Sequence, residues 1–229
     1  MEKVFLLFGA SGKLGREAVD YFLNCQYDYY YFFSRKKLNL PATEKSCENI
    51  IVEDLTEEQN IIEAFDKIRV SKDSYYYLFD TIGAYWGGKR IEETPYEEWK
   101  KMFDINLNSS FLVGKEFMKL AALSRGGSIC FTSAYTAASN EPGIAAYGAS
   151  KSALNYFVKT LAEEGKSINL SANAIAPYIL DTESNRQWID DKNKLIPLRE
   201  LCVVVENIFQ SRKIFTGNII FFSETLKNP

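Results

Sequence analysis

An apolar run at residues 4–8 passes directly into Gly9-Ala10-Ser11-Gly12-Lys13-Leu14-Gly15, and this junction constrains the chain more than any other feature. A short continuous apolar run is the pattern of a strand covered on both faces. Helical spacing of Ala18, Val19, Phe22 and Leu23 follows it. Glycines between a strand and a helix permit a tight turn, close approach of backbone to phosphate, and close helix–strand packing. The start of the helix adds N–H groups and the positive end of a dipole, which together hold an anion. The junction therefore reads as a dinucleotide site built from Gly9, Ser11, Gly12, Lys13, Leu14 and Gly15, the alternative being a plain strand-to-helix turn.

The rest of the chain repeats the alternation. Further strands are expected at residues 29–33, 50–52, 75–79, 128–132, 170–176 and 218–222, and helices over 57–68, 95–123, 145–164 and 198–210. Thr56 is placed to cap the second helix with Gln59 in the capping-box position, and Gly165 stands where a helix C-terminus prefers glycine. Residues 34–49 are polar and broken by Pro41, so the crossover there is expected to be truncated or irregular. Strands alternating with helices predict an α/β fold: a Rossmann-type doubly wound parallel sheet of about seven strands, helices on both faces, in one domain over residues 1–229.

Composition excludes several classes of protein. With 229 residues, 46% hydrophobic and 25% charged, the chain has the profile of a globular domain and not of a disordered, fibrous or disulfide-stapled protein. Its 27 basic and 30 acidic residues leave a net charge of −3. Nucleic-acid affinity comes from neutralising phosphates, so the short cluster Arg35-Lys36-Lys37 argues against such a partner. There is no histidine, and proton transfer falls to Tyr, Lys, Ser, Cys, Asp or Glu. Cys25, Cys47, Cys130 and Cys202 form no C-x-x-C pair, so no metal site is expected. No apolar stretch nears the ~18 residues of a membrane span, and the run at residues 4–8 is too short for a signal peptide. A soluble, cytoplasmic protein with reduced thiols is expected.

Two further patterns carry chemistry. An NAD site usually ends its second strand with an acid that binds the ribose hydroxyls. Here that strand ends Phe33-Ser34-Arg35-Lys36. A carboxylate would repel a 2′-phosphate, whereas Arg35 can pair with one, Lys13 adding a second positive charge. NADP is therefore favoured over NAD, against the alternative of a solvated basic turn. Tyr147 and Lys151 stand four apart on an expected helix and so share a face. An ammonium near a phenol favours phenolate, which predicts a depressed Tyr147 pKa.

Taken in order, the Gly9–Gly15 loop, Asn106, Ser133, Tyr147 with Lys151, and Pro177 with Thr182 resemble the short-chain dehydrogenase/reductase family along essentially the whole chain. The resemblance implies catalytic roles for Asn106, Ser133, Tyr147 and Lys151. Tyr147 would be the general acid/base, Ser133 would polarise the substrate oxygen, and Lys151 would bind the nicotinamide ribose. Asn106 would hold a relay water, and Thr182 after Pro177 would contact the carboxamide. Asp54 and Leu55 would lie along the adenine. Singly, Ser133, Asn106 and Thr182 are equally readable as a loop cap, a helix-kink plug and a helix cap.

Departures from the family pattern are plain. Lys13 replaces a glycine, and the usual N-N-A-G appears as Asp80-Thr81-Ile82-Gly83, where Ile82 and Gly83 would still offer backbone contacts. Within the family the likeness leans to dihydropteridine reductases, through the Gly83–Gly88 loop with Trp86 and through Pro142-Gly143. Those enzymes keep an acid where this chain has Arg35, and lack the serine at Ser133. The implied function is reduction of a small carbonyl substrate by NADPH, or oxidation of the alcohol. The alternatives are reduction of a quinonoid pterin and, in another class, a non-catalytic NADP-sensing protein. Trp86, Tyr135, Tyr178 and Trp188 are expected around the substrate. A homodimer or homotetramer is implied, with Phe111, Val113, Phe117, Leu154, Phe157 and Val158 on the interface helices, where they are equally readable as facing the sheet.

Overall fold

The computed structural model describes residues 1–41 and 43–224. In chain order the strands are β1 (Glu2–Phe8), β2 (Tyr29–Ser34), β3 (Ser46–Ile51), β4 (Ser74–Asp80), β5 (Gly127–Thr132), β6 (Leu170–Pro177), β7 (Ile179–Leu180), β8 (Leu195–Ile196) and β9 (Ile219–Phe222). The helices are α1 (Lys13–Phe22), α2 (Glu58–Asp66), α3 (Tyr96–Phe103), α4 (Ser109–Ala122), α5 (Ala145–Gly165), α6 (Glu183–Arg186) and α7 (Leu198–Gln210). Seven strands form one sheet in the order β3-β2-β1-β4-β5-β6-β9, every pair parallel. The doubly wound expectation is met.

Alternation along β1 explains why its run is apolar throughout. Leu6 and Phe8 join the core beneath α2, α4 and α5, while Phe5 and Leu7 join the core beneath α1 and α7. Phe8 stacks on Phe33 of β2 with ring centroids 4.0 Å apart, and Phe5 stacks on Phe22 of α1 at 4.2 Å. Each such buried ring is worth about 3–5 kcal/mol against alanine. The order reverses between β1 and β4, so their C-terminal ends splay outward loops and open a crevice.

Several boundaries differ from expectation. β3 begins at Ser46 because Tyr29 through Ser34 of β2 pair with it residue by residue, and a half-exposed edge strand tolerates polar residues that hide the pattern. The 35–45 connection holds no helix among the described residues. The Asn49 side chain organises it instead, accepting from Leu38 N at 2.8 Å and donating to Phe32 O at 2.9 Å. Thr56 does not cap α2: its hydroxyl donates to Asp54 at 2.7 Å and Glu57 takes the cap position. Gln59 reaches Glu63 and closes no capping box. Gly165 keeps an ordinary helical φ of −68°, the left-handed turn falling on Asn169 at φ 55°. The expected helix 95–123 is split by a π-helical turn, Asp104–Asn108.

The residues readable as an interface or as facing the sheet divide between the two positions. Val113, Phe117, Leu154 and Val158 are wholly buried in the protomer's own core; Phe111 remains exposed, its ring 5.7 Å from that of half-buried Phe157. Among the described residues, no helix is long and apolar enough to cross a membrane.

Candidate functional site

The crevice has two adjoining halves that share Gly12, Thr81, Ile82, Gly83 and Ala84. One, of about 730 Å³, is walled by Gly9, Ser11, Gly12, Ser34, Arg35, Asp54, Leu55, Ile82 and Gly83. The other, of about 740 Å³, is walled by Lys13, Leu14, Ser133, Tyr147, Lys151, Pro177 and Thr182. Gly15 and Asn106 stand behind these walls.

The glycine turn is built by close contact. Gly9 sits at φ +79°, and a Cβ there would lie 2.6 Å from Thr81 Oγ1. A Cβ at Gly15 would lie 2.1 Å from Gly9 O, so only glycine lets α1 start this near β1. Gly12 takes the cap position of α1 with no side-chain cap, and the first turn carries no acid. An anion therefore meets bare helix-terminal N–H groups there. These residues fit a dinucleotide phosphate. Lys13 needs no unusual backbone angle, since Asn169 is the only non-glycine of positive φ among the described residues.

At the far end of the first half, Arg35 is exposed and makes no ion pair among the described residues. Asp54 lies across from it, held below the usual carboxylate range chiefly by hydrogen bonds from Thr56, with Arg35 adding a smaller pull.

The second half gathers the residues with proton chemistry. Ser133 follows β5, while Tyr147 and Lys151 project from α5 toward it. Lys151 is buried, and its Nζ donates to Thr132 O at 2.7 Å. Burial drives its pKa down to about 8, a tendency that Asp80 opposes. Tyr147 behaves contrary to expectation: its pKa is raised, first by burial and then by the neighbouring Tyr85, whose ring centroid is 5.1 Å away. Helix spacing puts ammonium and phenol on one face, yet burial and Tyr85 set the direction of the phenol's shift.

Ser133 donates to Asn155 Oδ1 at 2.6 Å. Asn155 escaped the sequence reading, although Tyr147, Lys151 and Asn155 form an i, i+4, i+8 series along one helix face. Asn106 sits in the π turn, fully buried. Its Oδ1 accepts from Ala84 N at 2.8 Å, and its Nδ2 donates to Ala84 O at 3.0 Å and Ser150 Oγ at 3.1 Å. The side-chain amide thus fixes the crevice floor, with both of its N–H donors engaged and one lone pair of Oδ1 taken by Ala84 N. Thr182 faces the crevice and also caps α6 by accepting from Asn185 N. Of the four expected aromatics, Tyr178 and Trp188 line the cavity together with Tyr85. Tyr135 instead backs Tyr178 at 5.5 Å, and Trp86 is not on the wall.

Comparison with known proteins gives a consistent result. The family model described as short chain dehydrogenase matches residues 3–193. Dihydropteridine reductase of Dictyostelium discoideum is 29% identical over 216 residues, covering 92% of this chain and 87% of that protein. A 3-oxoacyl-[acyl-carrier protein] reductase of Brucella melitensis, solved with bound NAD, superposes with a TM-score of 0.82 at 20% identity, covering 99% of this chain and 92% of that one. ElxO, solved with NADP bound, superposes with a TM-score of 0.81 at 22% identity, covering 96% of this chain and 97% of that one.

Proposed function

The chain belongs to the short-chain dehydrogenase family, and on that premise we propose that it is an NADPH-dependent reductase of a small carbonyl compound, able to oxidise the corresponding alcohol. The observation that carries this reading is the meeting of Tyr147, Ser133 and Lys151 on one crevice wall, continuous with the glycine-turn half. A nicotinamide held in this crevice would supply the hydride.

The protein's own groups then divide the work. Tyr147 donates the proton to the carbonyl oxygen; its raised pKa keeps the phenol protonated at neutral pH, as a donor in the reductive direction requires. A hydroxyl has a single proton, so Ser133 must turn it from Asn155 to the substrate oxygen in order to polarise that oxygen. An ammonium has three donors, and the one given to Thr132 leaves two for ribose hydroxyls. Asn106 contributes by holding Ala84 in place. Pro177 and Thr182 border the nicotinamide side, and Asp54 and Leu55 the adenine side. Arg35 would pair with the 2′-phosphate, which favours NADP over NAD. The four unpaired thiols suit a reducing compartment, and we assign the enzyme to the cytoplasm.

A second reading has its own support. The likeness to the Dictyostelium dihydropteridine reductase along most of both chains favours a quinonoid pterin as oxidant. One experiment addresses both: NADPH oxidation measured against a panel of aldehydes, ketones and quinonoid dihydropterin, with wild type and Tyr147→Phe. Loss of turnover by about 10²–10⁴-fold with cofactor affinity retained is expected. An unaffected rate would remove Tyr147 from the chemistry.

A further inference from the structure

We propose that Asp80 is a positioning residue whose buried carboxylate acts as the counter-charge that keeps Lys151 an ammonium in the crevice floor. The proposal rests on the reading of Lys151 given above and assigns a task to a residue outside the expected site.

Asp80 ends β4 and is completely buried, between register neighbours Phe8 on β1 and Phe131 on β5. Its two oxygens face donors: Ile82 N gives a hydrogen bond to Oδ1 at 2.9 Å, and Ser110 Oγ of α4 gives one to Oδ2 at 2.8 Å. Two donors favour the ionised, acceptor-only carboxylate. Lys151 arrives from α5 on the other side of the same floor. A Cβ on Gly83, one residue beyond Ile82, would lie 3.1 Å from its Nζ. Thr132 links the two: it accepts from Lys151 Nζ through its carbonyl and donates through Oγ1 to Asp80 O at 2.8 Å.

Neither residue makes an ion pair within 4 Å among the described residues, so their attraction acts through space in a poorly screened interior. The other titratable groups around them are weak rivals. Cys130 on β5 is held protonated by burial, and Tyr147 on the helix of Lys151 is held protonated likewise. Burial lifts the Asp80 carboxyl to about 6, a rise that Lys151 resists, just as Asp80 resists the fall of Lys151. A buried lysine deprived of its counter-charge loses its proton. It would then offer the ribose fewer donors.

The test uses Asp80→Asn, which keeps size and removes charge. With NADPH and the best substrate of the panel, kcat/KM of the wild type should fall on the alkaline side near pH 8. In the variant this limb should move down by about one unit, which costs about fivefold at pH 8 and little at pH 6. A uniform loss at every pH would mark Asp80 as merely structural, and an unmoved limb would equally overturn the proposal. A second readout needs no turnover and no change at Asp80. In cofactor-free wild type labelled with ¹³C-lysine, the Lys151 ε-carbon (assigned by its absence in Lys151→Arg) should show its own titration and a second inflection near pH 6 as Asp80 ionises. A Lys151 signal that ignores that pH range refutes the pairing. Absence of turnover on the whole panel beside an intact inflection would instead refute the catalytic reading.

Discussion

Replacing Gly15 by alanine tests the most crowded contact at the glycine turn. The added Cβ would sit 2.1 Å from Gly9 O and 2.8 Å from Ala10 Cα, against at least 3.4 Å in an ordinary contact. Both obstacles are backbone, so relief requires α1 to retreat from the turn by about 1 Å. Leu14, Ala18, Val19 and Phe22 resist this, being buried against the sheet. Overpacking of this kind costs about 1–3 kcal/mol, and the two backbone clashes put Gly15 at the upper end. Alanine's better helix propensity returns about 1 kcal/mol. The net loss is about 2 kcal/mol, or a melting temperature lower by about 4–8 °C for a domain of this size. Displacing the helix start should also weaken NADPH binding, by at least about tenfold. Gly148→Ala is the control: its Cβ would meet Thr136 O at an ordinary 3.6 Å, so helix propensity alone acts and stability should rise by about 0.5–1 kcal/mol. Circular-dichroism melts and a fluorescence titration of NADPH decide the matter. If Gly15→Ala melts with the wild type and binds NADPH within about twofold, the close-packed turn is not what holds the cofactor.

Two further outcomes follow from charge. Arg35→Ala should weaken NADPH by about 10–100-fold, the worth of a charge-assisted hydrogen bond, and leave NADH within about twofold; an unchanged ratio of the two affinities removes Arg35 from the choice. Stability against pH tests the burial of Asp80. Its carboxyl rises from 3.8 to about 6 on folding, so the folded state binds its proton more tightly. The associated stability is present at low pH and lost as pH climbs through 6, by up to about 3 kcal/mol. Melting temperatures between pH 4 and 7 should therefore fall in wild type relative to Asp80→Asn by about 6–12 °C, and parallel curves would contradict the buried ionisation.

Much of the architecture was legible because burial on two faces writes itself into sequence. The run at residues 4–8 needed no periodicity analysis, and its glycines announced the turn. What escaped was local and electrostatic. The π turn at Asp104–Asn108 inserts its extra residue inside a helical pattern that continues on both sides, so spacing over 95–123 reads as uninterrupted. Yet that turn points Asn106 at Ala84. Thr56 has the composition of a cap, but its hydroxyl donates to Asp54 two residues earlier and the helix starts one residue later, with Glu57 in the cap position. β7 and β8 are two residues each, too short for any periodic signal. The sign of the Tyr147 shift was beyond reach for another reason. Spacing reports which groups are neighbours, whereas desolvation depends on every atom that excludes water from them.

The site's residues divide by how firmly the fold holds them. Ser133, Lys151 and Asn106 are buried and tied to strand ends or to α5, with partners on Asn155, Thr132 and Ala84. The groups facing the mouth of the second half are differently mounted. Tyr178, Trp188 and Thr182 lie in residues 178–197, which connect β6 to α7 through a two-strand ribbon and two short helical turns. Trp188 is 80% exposed there. Chemistry that needs sub-ångström placement belongs on the rigid side, and selection of a substrate belongs on the side whose changes leave the sheet untouched. Exchanging Trp188 for alanine should accordingly alter which carbonyls are reduced while sparing NADPH affinity, and the ratio of those two effects measures how far the halves act independently.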